Sequence, residues 1–374
     1  MRVALGHSPY CNGARAPRGA GGYNRVVEFG ESAATSLAAG RPPAAVCVVV
    51  ELAKGEPVPW FVAPAIVVAA AAAIAGGAAL RRRSRAKNEV FIGFDTLFGR
   101  ANVFTIRQDE STGLHLPGEQ AAEAFSWIRV MELDGAYQSA TYLDERCYEP
   151  VFDYYKLFDR AFDVEARGGR IERVLMLGGG GYAYPKHLIS TRRDVRMDVV
   201  EIDPTITAIA ERYFFLDRLI VEFDVEETGQ LVTIHDDARR YLETCEARYD
   251  AIMNDLFAGR AAVASLATAE AARLVHERLT PDGVYLANVI SPLTGADGAP
   301  VLLDSICATL AREFAHVWVV PCKHRPPTEA DNHMVIATDG DWRFFGAQPA
   351  HPAAGAAVLT DATVEALIPI ARVE

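Results

Sequence analysis

Four places in this chain put side chains or bare backbone where a small ligand could be handled. The first is Val174-Leu-Met-Leu-Gly-Gly-Gly-Gly181, an apolar run that enters four glycines. The second is Met197-Asp-Val-Val-Glu-Ile-Asp203, about twenty residues on, which ends at Glu201 and Asp203. The third is Leu231-Val-Thr-Ile234, which delivers Asp236 and Asp237, and the fourth is Tyr249-Asp-Ala-Ile-Met253, which ends on Asn254 and Asp255. Glycines let a backbone approach a ligand where a Cβ would intrude. An acid at the tip of the following strand can accept both hydroxyls of a ribose. By itself this first βαβ unit does not separate NAD, FAD and S-adenosyl ligands.

The elements that must position these groups alternate strictly. After Asp203, Pro204 opens a helix through Ile206, Ile209, Ala210 and Tyr213. Arg239-Arg-Tyr-Leu-Glu begins another, and Ala267 to Leu279 a third, which stops at the turn Pro281-Asp-Gly283. Gly283 to Ile290 reads as a fifth strand, Val301 to Phe314 as a helix, and His316–Val320 with His333–Ala337 as a closing strand pair. Alternation of this kind predicts a doubly wound, mostly parallel sheet with helices on both faces. Ligands bind beyond the carboxyl ends of such strands, where the four polar groups fall in register.

Ahead of this α/β region, residues 88–150 read as a small β-rich domain. Val90–Phe94, Ala101–Ile106 and Ile128–Leu133 are strand-like, and the turn Asp134-Gly135 leads into Tyr137–Tyr142. Cys147 to Phe158 reads as a helix bridging to the nucleotide-binding domain, placed at 165–345. Residues 346–374 read as a C-terminal tail.

Composition limits the partners. The net charge of −12 is uneven: residues 1–87 carry 11 Lys+Arg against 4 Asp+Glu, the remainder 26 against 45. An acidic catalytic region excludes nucleic acid as the expected partner and suits a cationic substrate such as an amine. Six cysteines without a CxxC pair, and nine dispersed histidines, give no metal-site spacing and no disulfide framework.

Residues 1–57 read as disordered chain, rich in Gly, Ala, Arg and Pro over the first 45; with no Met between Met1 and Met131, translation ahead of the natural start is the alternative. Residues 58–80 carry no charge and are followed by Arg81, Arg82, Arg83, Arg85 and Lys87. At 1.5 Å per residue such a run could span a hydrocarbon core of roughly 30 Å. The basic flank then places the catalytic domain in the cytoplasm, anchored by one helix.

The ordered set Leu133-Asp-Gly-x-x-Gln138, Asp144-Glu-x-x-Tyr148, the glycine run, Val200-Glu-Ile-Asp203, Asp237-Ala-Arg-Arg-Tyr-Leu242, Tyr249-Asp-Ala-Ile-Met-x-Asp255 and Leu279-x-Pro-Asp-Gly283 resembles the spermidine synthase (aminopropyltransferase) family over roughly residues 90–340. The resemblance implies a small β-domain before a class I methyltransferase-type Rossmann domain. It also implies transfer of an aminopropyl group from decarboxylated S-adenosylmethionine to an amine, without a metal, by an enzyme that forms dimers or tetramers; a homodimer is the expectation. It further implies that Gly178, Gly179 and Gly180 cradle the nucleoside, Glu201 accepts the ribose hydroxyls, and Asp237 with Ala238 sits beside the adenine. Gln138, Tyr148 and Glu149 would line the substrate cleft, and Asp255 would be the catalytic acid/base.

Three departures bear on substrate. The family's donor-anchoring aspartate is replaced by Gly181, its second acid after the catalytic aspartate by Ala258, and a polar Gln or His by Glu149. An S-adenosylmethionine-dependent methyltransferase is therefore the alternative function, since loss of the acid at 181 removes an anion that would repel the carboxylate of the intact nucleoside. A non-catalytic nucleoside-binding module is the second alternative.

Overall fold

The computed structural model describes residues 2–5, 26–31, 45–51, 91–108, 126–133, 135–255, 257–258, 261–262, 264–322 and 324–367. The chain divides into two compact units, 1–90 and 91–374. In the first, three strands, β1 (Arg2–Leu5), β2 (Val26–Glu31) and β3 (Ala45–Glu51), form an antiparallel sheet in the order β1-β3-β2. Disorder is the sequence expectation for residues 1–57; strands stand at 2–5, 26–31 and 45–51, and the rest of that segment lies outside the described residues. The β-branched run Val48-Val-Val50 pairs with Val3–Leu5 on one side and reaches Val26 and Val27 on the other, a propensity the surrounding Gly and Pro obscure. Residues 58–80 lie outside the described residues. Among those described, no helix is long and apolar enough to cross a membrane.

The second unit opens with a four-stranded antiparallel sheet, β4 (Ile92–Thr96), β5 (Gly99–Gln108), β6 (Ser126–Leu133) and β7 (Ala136–Tyr142), paired in sequence order. This is the expected β-rich domain with its hairpin at Gly135. One face packs Ala101, Val103, Met131 and Leu133 against Ile206, Ile209 and Phe214 of the α/β domain.

The bridging helix begins later than its expected span of 147–158. Pro150, which has no N–H, makes a single bridge to Thr141, and the helix runs Asp153–Arg167. Its buried residues Tyr155, Phe158, Ala161 and Val164 recur every three positions, the period of the 3₁₀ winding it adopts. Gly168, at φ +84°, closes it.

The α/β domain then follows as expected. Its elements are β8 (Arg173–Leu177), α1 (Ala183–Thr191), β9 (Arg196–Val200), α2 (Pro204–Tyr213), α3 (Leu216–Glu222), α4 (Val225–Thr228), β10 (Leu231–Ile234), α5 (Ala238–Thr244) and β11 (Tyr249–Asn254). A two-residue ladder, β12 (Phe257–Ala258) with β13 (Ala261–Ala262), leads to α6 (Ala269–Arg278), β14 (Leu279–Ser291), α7 (Leu302–Leu310), β15 (His316–Pro321), β16 (Asp331–Thr338) and β17 (Gln348–Pro349). The eight-stranded sheet has the order β10-β9-β8-β11-β14-β16-β15-β17. β10 through β14 are parallel, and β16, β15 and β17 are antiparallel. The turn expected at Pro281-Asp-Gly283 is an irregularity within β14: pairing with β11 slips between Leu279 and Val284, and Asp282 takes φ +63°.

Two apolar layers cover the sheet. Val174, Met176, Val199, Met253 and Leu286 face the 153–167 helix, while Leu175, Leu177, Ile252, Tyr285 and Val335 face Ala271, Leu303 and Leu310 on α6 and α7. The segment expected as a tail is docked over residues 346–367. β17 pairs with β15, and Leu359 is buried with its backbone bonded to Ala269 N and Thr309 Oγ1, each at 2.9 Å. Val364 is buried as well.

Candidate active site

Strand register assembles the site. Ile234 pairs with Val200, Val200 with Leu177, Leu177 with Asn254 and Asn254 with Ala287. One residue further along each strand therefore stand His235, Glu201, Gly178, Asp255 and Asn288, side by side at the carboxyl edge. The strand order reverses between β8 and β11, which opens the crevice where α/β sheets bind ligands. Gly178 and Asp255 sit on the two sides of that crevice, and Asp255 N donates to Leu177 O at 3.0 Å.

On the β8 side, Gly178 and Gly180 adopt φ of +91° and +49°, a backbone that side-chain-bearing residues seldom take. The N–H groups of Gly179 and Gly180 donate to Glu201 Oε2 at 3.0 and 3.1 Å, and Asp203 N donates to Oε1 at 3.0 Å. Burial raises the Glu201 carboxyl above the usual carboxylate range, opposed by these three backbone donors. A carboxylate offers about four acceptor positions. Glu201 thus fixes the loop and keeps one position on Oε1 for a further donor.

Tyr182, just past the loop, is buried at φ +54° and anchored by its hydroxyl to Thr207 Oγ1 (3.2 Å) and Thr233 Oγ1 (3.3 Å). Asp203 caps α2 through Thr205 N (2.8 Å) and also accepts Leu97 N at 2.6 Å, which ties the β4–β5 turn to the nucleotide fold. Asp237 caps α5 through Arg240 N at 2.9 Å, and Ala238 is buried behind it.

On the β11 side, Asp255 is partly buried. Oδ1 accepts Asn288 Nδ2 at 2.9 Å and Oδ2 accepts the Tyr154 hydroxyl at 3.2 Å. Desolvation raises its carboxyl above the ordinary value, against the opposing pull of Asn288, Tyr154 and Tyr155. Among the described residues, Asn288 Oδ1 is buried with no hydrogen-bond partner. The rings of Tyr154 and Tyr155 stack at 4.2 Å between centroids, and burial pushes both hydroxyls well above their usual range. The pair forms a neutral wall beside one carboxylate able to take a proton.

The sequence-derived set is only partly brought together. The glycines, Glu201 and Asp255 converge; Asp237 and Ala238 lie two strands from β8, beyond β10. Gln138 is on β7, half-buried. Tyr148 is turned elsewhere: its hydroxyl donates to Glu222 Oε2 at 2.9 Å and its ring packs edge-on to Phe223, while Glu149 is exposed in the adjoining turn. The tyrosine that reaches Asp255 is Tyr154. Sequence reasoning missed Tyr154, Tyr155 and Asn288. Asn288 could have been found as the polar residue ending a fifth strand; the tyrosines were hidden in a segment read as a plain bridging helix. Among the described residues, no group of three His, Cys, Asp or Glu side chains could hold a metal.

Fold and site define a class I methyltransferase-type α/β protein with the Asp255 carboxylate at its switch-point crevice. Residues 165–306 match the spermine/spermidine synthase domain. It is 29% identical over 170 residues to the polyamine aminopropyltransferase of Vibrio vulnificus, covering 44% of this chain and 50% of that protein. It is 28% identical over 195 residues to polyamine aminopropyltransferase 2 of Hyperthermus butylicus, covering 50% and 57%. The chain thus spans about half the length of the curated relatives it matches. The crystal structure of a probable spermidine synthase from Corynebacterium glutamicum shares the fold, with a TM-score of 0.54 at 19% identity over 73% of this chain and 96% of that one.

Proposed function

We propose that this protein transfers an aminopropyl group from decarboxylated S-adenosylmethionine to a small amine. The observation that carries the reading is the alignment of Glu201, the glycine loop and Asp255 on three neighbouring strand ends. The loop backbone and the remaining acceptor position of Glu201 suit a nucleoside, with Asp237 and Ala238 as the adenine-side candidates. Asp255 suits the chemistry. An ammonium must lose a proton before its lone pair can attack a carbon next to a sulfonium. The N–C bond forms, the C–S bond breaks with its electron pair going to sulfur as a neutral thioether, and the amine's proton passes to Asp255. Asn288 Oδ1, which no donor reaches among the described residues, supplies a place for a second N–H of the same amine.

The test is turnover of the full chain with decarboxylated S-adenosylmethionine and a panel of diamines, with methylthioadenosine as the measured product. Its absence with every amine would sink the reading. Methyl transfer from intact S-adenosylmethionine would instead establish the methyltransferase alternative, which Gly181 favours by offering no anion to that substrate's carboxylate. The uncharged run at 58–80 with its basic flank supports a single membrane anchor; extraction by alkaline carbonate would refute it.

A further inference from the structure

Two helices begin at the carboxyl edge of the sheet, on the ligand side: α5, which follows β10, and α6, which follows β11 and Asp255. Side-chain bonds join their first turns. Arg239, two residues past the Asp237 cap, donates from Nη1 to Ser265 O at 3.0 Å and to Thr268 Oγ1 at 3.2 Å. Thr268 caps α6 by accepting Ala271 N at 3.2 Å, and Ser265 belongs to the short 3₁₀ turn Ala264–Leu266 just before it. The stretch by which the chain leaves Asp255 is thus gripped at its far end from α5.

The grip has a third member, from the docked C-terminal segment. Asp361 meets Arg239 in a two-pronged pair, Nη1 to Oδ1 at 3.3 Å and Nη2 to Oδ2 at 3.1 Å. Its Oδ1 also accepts the Thr268 hydroxyl at 2.6 Å, and its backbone N–H donates to Glu270 Oε2 at 3.0 Å. Arg239 Nε donates to Glu243 Oε1, one turn along α5, at 2.9 Å. A planar guanidinium held on all these sides has one orientation. Beneath the polar bonds, Ala238, Leu266, Leu359 and Val364 share one buried apolar cluster.

We propose that Arg239 is a positioning residue for the candidate active site, and that the C-terminal segment, through Asp361, is a strap that sets the stretch after Asp255 against α5. The inference rests on the transferase reading above. Asp255 stands where the strand, fixed by the sheet, gives way to this stretch, whose far end the strap fixes. Release of that end reaches the carboxylate, and a misplacement of about 1 Å costs up to about 100-fold in rate. The glycine loop and Glu201 belong to β8 and β9 and take no part in the network, so donor binding survives its loss.

The test is a double-mutant cycle on the full chain with Arg239→Ala, Asp361→Ala and the two combined. Each single change lowers kcat by about 10- to 100-fold and leaves the Kd for decarboxylated S-adenosylmethionine little changed. The combined variant loses no more than the worse single one, because both remove the same strap. Residues that only support the fold would lower Tm and leave kcat intact well below it. An intact kcat in both variants therefore overturns the positioning role, as does a combined loss equal to the product of the two. Arg239→Lys, which keeps the charge and gives up the fork, and Asp361→Asn replace alanine variants that do not fold. Hydrogen exchange needs no substrate: the amides of residues 264–268 exchange faster in Asp361→Ala than in wild type, while those of β8 are unchanged. Equal exchange at 264–268 overturns the strap. A wild type that turns over no amine removes the transferase reading and the positioning role together, and the exchange comparison still decides whether the strap exists.

Discussion

The Tyr154 hydroxyl donates to Asp255 Oδ2 at 3.2 Å, so a residue from the helix entering the α/β domain steadies a carboxylate at the end of its fourth parallel strand. The bond favours the ionised form and partly offsets the desolvation that raises this carboxyl. If Asp255 works as a carboxylate base, kcat rises with pH through its pKa, and the acidic limb lies above the ordinary carboxylate range. Tyr154→Phe removes a stabilising donor and should move that limb further up, with a smaller loss of rate at high pH. A pH–rate profile of both proteins checks this; coincident limbs would show that the bond does not act on the working carboxylate.

Asp255→Asn keeps the size of the side chain and removes its basicity. Turnover should fall by about 10²- to 10⁴-fold, the usual contribution of a positioned general base. Nucleoside affinity should change little, because the loop and Glu201 lie across the crevice. Single-turnover kinetics beside calorimetric titration separate the two. Retained turnover would move the proton-accepting role elsewhere.

Glu201→Gln should damage both fold and binding. The carboxylate takes three backbone N–H donors on two oxygens. An amide has one acceptor oxygen, so its NH2 group must face at least one of those donors. Leaving a buried donor unpaired costs about 1–3 kcal/mol. A lower denaturation midpoint together with weakened nucleoside binding is expected. A stability loss with affinity intact would make Glu201 a purely structural clamp.

How far these roles could be read in advance depended on where the signal lay. The α/β domain was legible because its apolar runs are short and each ends at polar residues: Val174–Leu177, Met197–Val200 and Tyr249–Met253 became β8, β9 and β11 within a residue or two. Asp255 and Glu201 followed from those endings. Tyr154 did not, because its helix winds with a three-residue period and starts six residues later than the expected α-helix. Tyr148 bonds Glu222 and not Asp255 for a related reason. Its placement depends on α3, a seven-residue helix carrying Glu222 that no periodic pattern announced. The Arg239–Asp361 pair joins residues 122 positions apart, and only the three-dimensional packing reveals it.

Lys186 offers a test of the junction between the small sheet and the α/β domain. It lies on α1, directly after the loop, and is almost fully buried. Its ammonium donates to Thr141 Oγ1 at 3.2 Å, Cys147 O at 3.1 Å and Phe214 O at 2.5 Å, all uncharged acceptors. Burial brings its pKa down to about 7. An unfolded lysine holds its proton to about pH 10.4. Between those values the unfolded chain binds more protons than the native one, so this group's contribution to stability improves as pH rises. The Cys147 thiol beside it works in the opposite sense, since burial raises it and the native form resists ionisation. Comparing Lys186→Met with wild type isolates the lysine whatever the absolute stabilities. The wild-type denaturation midpoint should gain more between pH 7 and pH 9 than that of the variant. Parallel pH dependences would mean that Lys186 keeps its ordinary pKa in the native protein, and that solvent reaches the junction between β7 and the glycine loop.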